Sequence, residues 1–100
     1  MSRQVIFGDE ARIEFEDAVA WHNKRVSGLG ERFAVEVKST IQSILKNPER
    51  FPLEGKFVRR APVKVFKKYS VLFHIEPDFI GVDAVFHGAR NPSRLRRRLK

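Results

Sequence analysis

The sequence predicts a single α+β domain in which a helical hairpin packs on a small antiparallel sheet, with the element order β-α-α-β-β-β. Two observations carry this prediction. Apolar residues recur at helical spacing in the first half of the chain and alternate along the second half. Helices and strands that are segregated along a chain are typical of α+β folds. A length of 100 residues with 42% hydrophobic residues then indicates one domain, residues 1–100, with one modest core.

The first elements are a short strand and a helix. The apolar run from Val5 to Phe7 ends at Gly8, which indicates a strand, and Asp9 is placed to cap the helix that follows. The apolar stripe of this helix is predicted to comprise Ala11, Phe15, Ala18, Val19, His22 and Val26. The pair Ser27-Gly28 is expected to end it.

The second helix is predicted from Leu29 to Asn47, where Pro48 stops it. Its stripe comprises Leu29, Phe33, Val37, Ile41, Ile44 and Leu45. Because only a short Ser-Gly turn separates the two helices, they are expected to form an antiparallel hairpin.

Three strands follow in the second half. Pro62 cannot donate to a central ladder, so the strand that contains it is expected at an edge, a bulge or a bend. Strict alternation from Tyr69 to Glu76, and again from Ile80 to His87, predicts two antiparallel strands around a turn at Pro77-Asp78. Their helix-facing sides are expected to carry Tyr69, Val71, Phe73 and Ile75 on one strand and Ile80, Val82, Ala84 and Phe86 on the other.

The net charge of +8 lies entirely on the second half of the chain. Residues 1–50 hold eight basic and eight acidic side chains, whereas residues 51–100 hold twelve basic and four acidic ones. A basic tail at about residues 91–100 follows the last strand. This asymmetry predicts an electropositive working surface whose partners are polyanions or acidic proteins.

Several classes of protein are disfavoured by the composition. There is no Cys, so a thiolate metal site, a thiol nucleophile and a disulfide framework are excluded. No apolar stretch has the length of a signal peptide or a membrane span, so a soluble, cytoplasmic protein without a membrane partner is expected. His74 and His87 are predicted on the sheet face away from the helices, near each other and near Asp83. Their spacing fits no metal motif, and neither a metal nor a cofactor is expected.

Five stretches of the sequence together resemble the ParE/RelE superfamily of toxins from bacterial type II toxin–antitoxin modules, and the ParE branch (plasmid stabilisation proteins) most closely. They are, in chain order, DEARIEFEDAVAWH, GLGERF, NPERFP, VRRAPVKVFKKYSVLFHI and VFHGARNP, and the resemblance covers roughly residues 5–98. The resemblance implies the fold predicted above. It also implies a toxin that a cognate antitoxin holds inactive in a hetero-oligomer.

The two branches of this superfamily imply different activities. ParE-type toxins are associated with inhibition of DNA gyrase, whereas RelE-type toxins cut mRNA on the ribosome. A nuclease of this chain would use Lys64, Lys67, Lys68 and Arg90. However, Ser70 stands where the nuclease branch carries Arg, and no Tyr follows Arg90. The favoured hypothesis is therefore a gyrase-binding toxin without catalytic residues, with the mRNA endonuclease and a nontoxic basic nucleic-acid-binding module as alternatives.

The candidate partner-binding residues are the cations of the second half and the single tryptophan. They are Arg59, Arg60, Lys64, Arg90, Arg94, Arg96, Arg97, Arg98 and Trp21. For Arg59 and Arg60, an edge strand protected by positive charge is an equally good interpretation. For Trp21, a residue at the rim of the core is the plainer alternative.

Overall fold

The computed structural model describes residues 3–88, and the predicted basic tail lies outside these residues. The described elements follow the predicted order. They are β1 (Gln4–Phe7), α1 (Asp9–Arg25), α2 (Leu29–Lys46), a 3-10 turn (Pro48–Arg50), β2 (Arg59–Pro62), β3 (Tyr69–Ile75) and β4 (Phe79–His87). Both helices pack on one face of a four-stranded sheet, which confirms the α+β prediction. Within this part of the chain, no helix is both long and apolar enough to cross a membrane.

The sheet has the strand order β1-β4-β3-β2 and is mixed. Strands β2, β3 and β4 are antiparallel as predicted, but β1 runs parallel to β4, with Val5 opposite Ile80. The sequence pattern does not indicate the direction of β1, because no hairpin links this strand to its neighbour β4. The prediction of an edge strand at Pro62 is confirmed, since β2 ends there at the margin of the sheet.

A β-bulge in β4 changes which side chains face the helices. Leu72 pairs with Ala84 and Phe73 pairs with Val82, so Asp83 is the extra residue. Strict alternation therefore fails after Val82. The prediction that Ala84 and Phe86 face the helices is wrong: they cluster with Leu72 and Val58. Val85 takes their place in the core beneath the helices.

Helix α1 carries most of its predicted stripe. Ala11, Ala18 and His22 are buried, and Phe15 and Val19 pack against the same core. Val26 is the wrong member, since the helix ends at Arg25 and the Val26 side chain is 59% exposed. The residue that caps the helix is Gly8, and Asp9 instead lies in the first turn, where its charge favours the helix dipole.

A side chain of α1 also completes the sheet. The carboxylate of Glu14 accepts a hydrogen bond from the backbone N–H of Val85 at 3.0 Å. The short β1 reaches only as far as Val82 of β4, so Glu14 supplies the acceptor that a longer edge strand would have supplied. No local sequence pattern indicates this role, because Glu14 and Val85 are 71 residues apart in the sequence.

The hairpin between the helices closes through two glycines. Gly28 adopts φ 87°, a left-handed conformation that a side chain rarely adopts. Gly30 lies so close to α1 that a Cβ there would be 2.3 Å from the carbonyl oxygen of Val19. The Gly30 N–H also donates to the side chain of Asn23 at 2.7 Å, which locks the two helices together.

Candidate functional site

A cavity of about 370 Å³ opens where the end of α1 meets the loop between β2 and β3. Its walls include five aromatic or imidazole rings, Trp21, His22, Phe66, Tyr69 and His87. The remaining lining comes from the β2–β3 loop. Among the residues that line it, Lys67 and Lys68 carry positive charge and none carries a carboxylate.

His22 forms the floor of the cavity and is 6% exposed. Its Nδ1 donates to the carbonyl oxygen of Ala18 at 2.7 Å. Its ring stacks on Phe33, with centroids 4.9 Å apart and an angle of 13° between planes, and meets Phe66 at 87°. These contacts fix the imidazole, and in the neutral ring they leave Nε2 as a hydrogen-bond acceptor. The sequence pattern predicted His22 as a core residue and gave no sign that its ring also lines a cavity.

Tyr69 and His87 face each other across β3 and β4 and close the sheet side of the cavity. Their rings meet edge to face, with centroids 4.9 Å apart. His87 therefore lies on the helix side of the sheet, because the bulge at Asp83 shifts the alternation of β4. The prediction that His87 lies beside His74 on the opposite face is wrong.

The loop beside the cavity is strained at Val65, which has φ 70°. The N–H of Phe66 donates to the carbonyl oxygen of Lys64 at 2.7 Å, which makes Val65 the centre of a γ-turn. A positive φ is uncommon for a β-branched residue, and such strain is concentrated at binding sites. The turn places Val65, Lys67 and Lys68 along the rim of the cavity, and all three are exposed.

Trp21 forms the other rim and is 39% exposed. The guanidinium of Arg25 lies over its ring, 4.8 Å from the centroid. This exposure places Trp21 at the rim of the core. A partner contact at Trp21 remains a prediction.

Arg59 and Arg60 both make bonds within the domain. Arg59 donates to the carbonyl oxygens of Glu49 and Phe51, at 3.1 and 2.7 Å, and so holds the segment before β2. Arg60 donates from Nε to the hydroxyl of Ser70 at 2.9 Å and pairs with Glu54 at 3.2 Å.

These contacts within the domain show that Arg59 and Arg60 stabilise the fold. Partner binding by these two residues remains a prediction. Lys64, in contrast, is exposed next to the strained turn. The other predicted cations, Arg90, Arg94, Arg96, Arg97 and Arg98, lie outside the described residues.

The opposite face of the sheet carries a second cavity, and its lining includes Asp9, Glu10, Glu76 and Asp83. His74 contacts Asp83 at 2.8 Å and Glu76 at 3.6 Å. Gly81 leaves room for the imidazole, since a Cβ there would overlap the ring. Among the described residues, no group of three or more His, Cys, Asp or Glu side chains is arranged to hold a metal ion.

The comparisons with known proteins give a likeness of fold. A solved chain from the chromosomal ParDE TA system of P. aeruginosa has a TM-score of 0.74 to this chain and covers 85% of this chain and 95% of that chain. The two sequences are 9% identical. No family model and no curated protein matches the sequence. The chain therefore has a ParE/RelE-like fold, which confirms the predicted resemblance at the level of structure.

Proposed function

We propose that this chain is the toxin of a type II toxin–antitoxin module, of the ParE type, that binds and inhibits DNA gyrase. A cognate antitoxin neutralises it in the cytoplasm. The observation that carries the proposal is the likeness to a ParDE chain over nearly the full length of both chains. The five sequence motifs also follow one another in the order that the resemblance implies, which supports the proposal from the sequence.

The chemistry near β3 favours a toxin that binds over one that cuts. Metal-independent RNA cleavage needs cations at the phosphate and an acid for the leaving oxygen. Ser70 stands at the arginine position of the nuclease branch and is 3% exposed. Tyr69, the single tyrosine of the chain, is packed among the rings of His22, Phe33 and His87.

The antitoxin is expected to bring an acidic segment that folds on the toxin surface. Exposed Lys64, Lys67 and Lys68 on the β2–β3 loop are the described cations best placed to receive it. Higher salt should then slow association more than it speeds dissociation.

The test is a pulse-label of DNA and protein synthesis shortly after this chain alone is induced in bacteria. Early arrest of DNA synthesis while translation continues is the expected result. Inhibition of supercoiling by purified gyrase, relieved by the antitoxin encoded beside the toxin, is the matching result in vitro. Normal labelling of both processes, with soluble protein confirmed, would refute the proposal.

A second candidate, the ribosome-dependent mRNA endonuclease, is favoured by one observation. Arg60 brings a guanidinium to the hydroxyl of Ser70, and so supplies from β2 a group that the sequence lacks at position 70. This candidate predicts that translation stops first, with cuts in translated mRNA that primer extension maps. It also predicts that Arg60→Lys, which keeps the charge and loses the planar fork, reduces cleavage more than it reduces stability.

A further inference from the structure

We propose that the cavity beside Trp21 is an anchor site for an aromatic side chain with an O–H or N–H donor, carried on an acidic peptide segment. This segment would belong to the antitoxin, and only this assignment rests on the function proposed above. The cavity is formed by the described residues, is lined without a carboxylate, and has about 370 Å³ for an occupant.

The orientation of the rings in the wall selects the chemistry of the occupant. The rings of His22 and Phe66 meet at 87°, and those of Tyr69 and His87 meet at 88°. Rings packed edge to face with one another leave few open faces for a nucleobase to stack on, which disfavours nucleic acid here. Aromatic edges carry positive partial charge, so they attract the negative face of an incoming aromatic ring.

His22 adds a polar contact that a purely apolar anchor would leave unused. Its Nδ1 is committed to Ala18, and Nε2 makes no hydrogen bond to any of residues 3–88. A tyrosine O–H or an indole N–H that enters the cavity can donate to Nε2. An anchor without a donor would cover Nε2 and leave this acceptor unsatisfied, which weakens binding.

Charge at the rim selects the residues that flank the anchor. Lys67 and Lys68 line the cavity and are exposed, so carboxylates on either side of the anchor can reach them. The strained turn at Val65 holds both lysines at the rim before a partner arrives, which reduces the ordering cost on binding.

The experiment uses Trp21, the single tryptophan of the chain, as the reporter. Three short acidic peptides of equal charge, Asp-Glu-Xaa-Glu-Asp with Tyr, Phe or Ala at the centre, are titrated against the full chain. Fluorescence of Trp21 follows binding because the indole lines the cavity. The Tyr peptide is expected to bind with a Kd of about 1 mM or tighter. The Phe peptide should bind about fivefold more weakly because it lacks the donor, and the Ala peptide at least about tenfold more weakly.

Two variants test the assigned contacts. Lys67→Glu with Lys68→Glu should abolish binding of the Tyr peptide. Lys38→Glu with Lys46→Glu, the same charge change on exposed positions of α2, should leave it within about twofold, since distant surface charges are screened. His22→Phe should lower binding of the Tyr peptide to that of the Phe peptide and leave the Phe peptide unaffected. Thermal unfolding of each variant checks the fold, and the wild-type comparison of Tyr with Phe stands whether or not His22→Phe folds.

Four results would overturn the proposal. They are equal binding of the Ala and Tyr peptides, no change in Trp21 fluorescence with any peptide, stronger binding of a mononucleotide at the same site, and self-association that buries Trp21 without a peptide. None of these results bears on inhibition of gyrase by the chain alone. Failure of the pulse-label test would likewise leave a measured preference for the Tyr peptide intact.

Discussion

Replacing Gly30 by alanine should destabilise the domain, although helix propensity alone predicts the opposite. Alanine in place of glycine inside a helix stabilises it by roughly 0.5–1 kcal/mol in the absence of other contacts. Here the new Cβ would lie 2.3 Å from the carbonyl oxygen of Val19, and 2.7 Å from side-chain atoms of Asn23. The nearest atom belongs to the backbone of α1, so no rotamer change relieves the overlap.

The size of the effect follows from that distance. Ordinary contact begins at 3.4 Å, so α2 has to move away from α1 by about 1 Å. Overpacking of this kind costs about 1–3 kcal/mol. The movement also strains the hydrogen bond from the Gly30 N–H to Asn23, which contributes about 1 kcal/mol. After subtraction of the gain in propensity, a net loss of about 1–3 kcal/mol is expected, which corresponds to a Tm lower by about 5–20 °C.

Urea and thermal unfolding followed by circular dichroism measure this loss. Ser39→Ala, at an exposed position of the same helix, is the control and should change the free energy of unfolding by less than about 0.5 kcal/mol. If Gly30→Ala proves as stable as the wild type or more stable, the close approach of the helices at Gly30 is not what holds the hairpin, and the reasoning fails.

Two further changes test the sheet and the loop. Glu14→Ala removes the acceptor of the Val85 N–H and should lower the free energy of unfolding in urea by about 1–3 kcal/mol. Glu16→Ala, on the exposed face of α1, is the control and should lower it by less than about 0.5 kcal/mol. Equal losses would contradict the role of Glu14. Val65→Gly removes the strain of a positive φ at a β-branched residue and should be neutral or raise the free energy of unfolding by up to about 1 kcal/mol. Val35→Gly in α2 should lower it by about 0.5–1 kcal/mol in the same assay. A loss at Val65 as large as that at Val35 would show that the turn is not strained.

The helices and their order were predictable because each signal for them is local. The stripe of α2 from Phe33 to Ile44 and the stop at Pro48 depend only on residues within a few turns of one another. The predicted end of α2 at Asn47 differs from the observed end at Lys46 by one residue.

The errors in the sheet and the site have a common cause, which is that pairing partners are distant in sequence. One extra residue at Asp83 moves every later side chain of β4 to the other face. Because of that shift, His87 lines the cavity on the helix side of the sheet, whereas His74 lies on the opposite face beside Asp83. No periodicity within β4 marks the bulge, since Val85 and Phe86 are both apolar and either can face the core.

The distribution of charge leads to a last prediction, that steering and anchoring of the antitoxin are separable. Residues 1–88 carry fourteen cations and twelve carboxylates, whereas residues 89–100 carry six cations and no carboxylate, and so most of the net charge of +8. Long-range attraction of an acidic partner therefore comes mainly from the tail.

Serine in place of Arg94, Arg96, Arg97 and Arg98 should lower the association rate of the antitoxin about tenfold or more at low salt, and should flatten its salt dependence. The dissociation rate should change little, because the anchor site is untouched. Lys67→Glu with Lys68→Glu should instead mainly raise the dissociation rate. Stopped-flow association at several salt concentrations, with Trp21 as the reporter, measures both effects. If the tail variant dissociates faster while its association rate is unchanged, the tail makes close contacts in the complex, and the division between steering and anchoring is wrong.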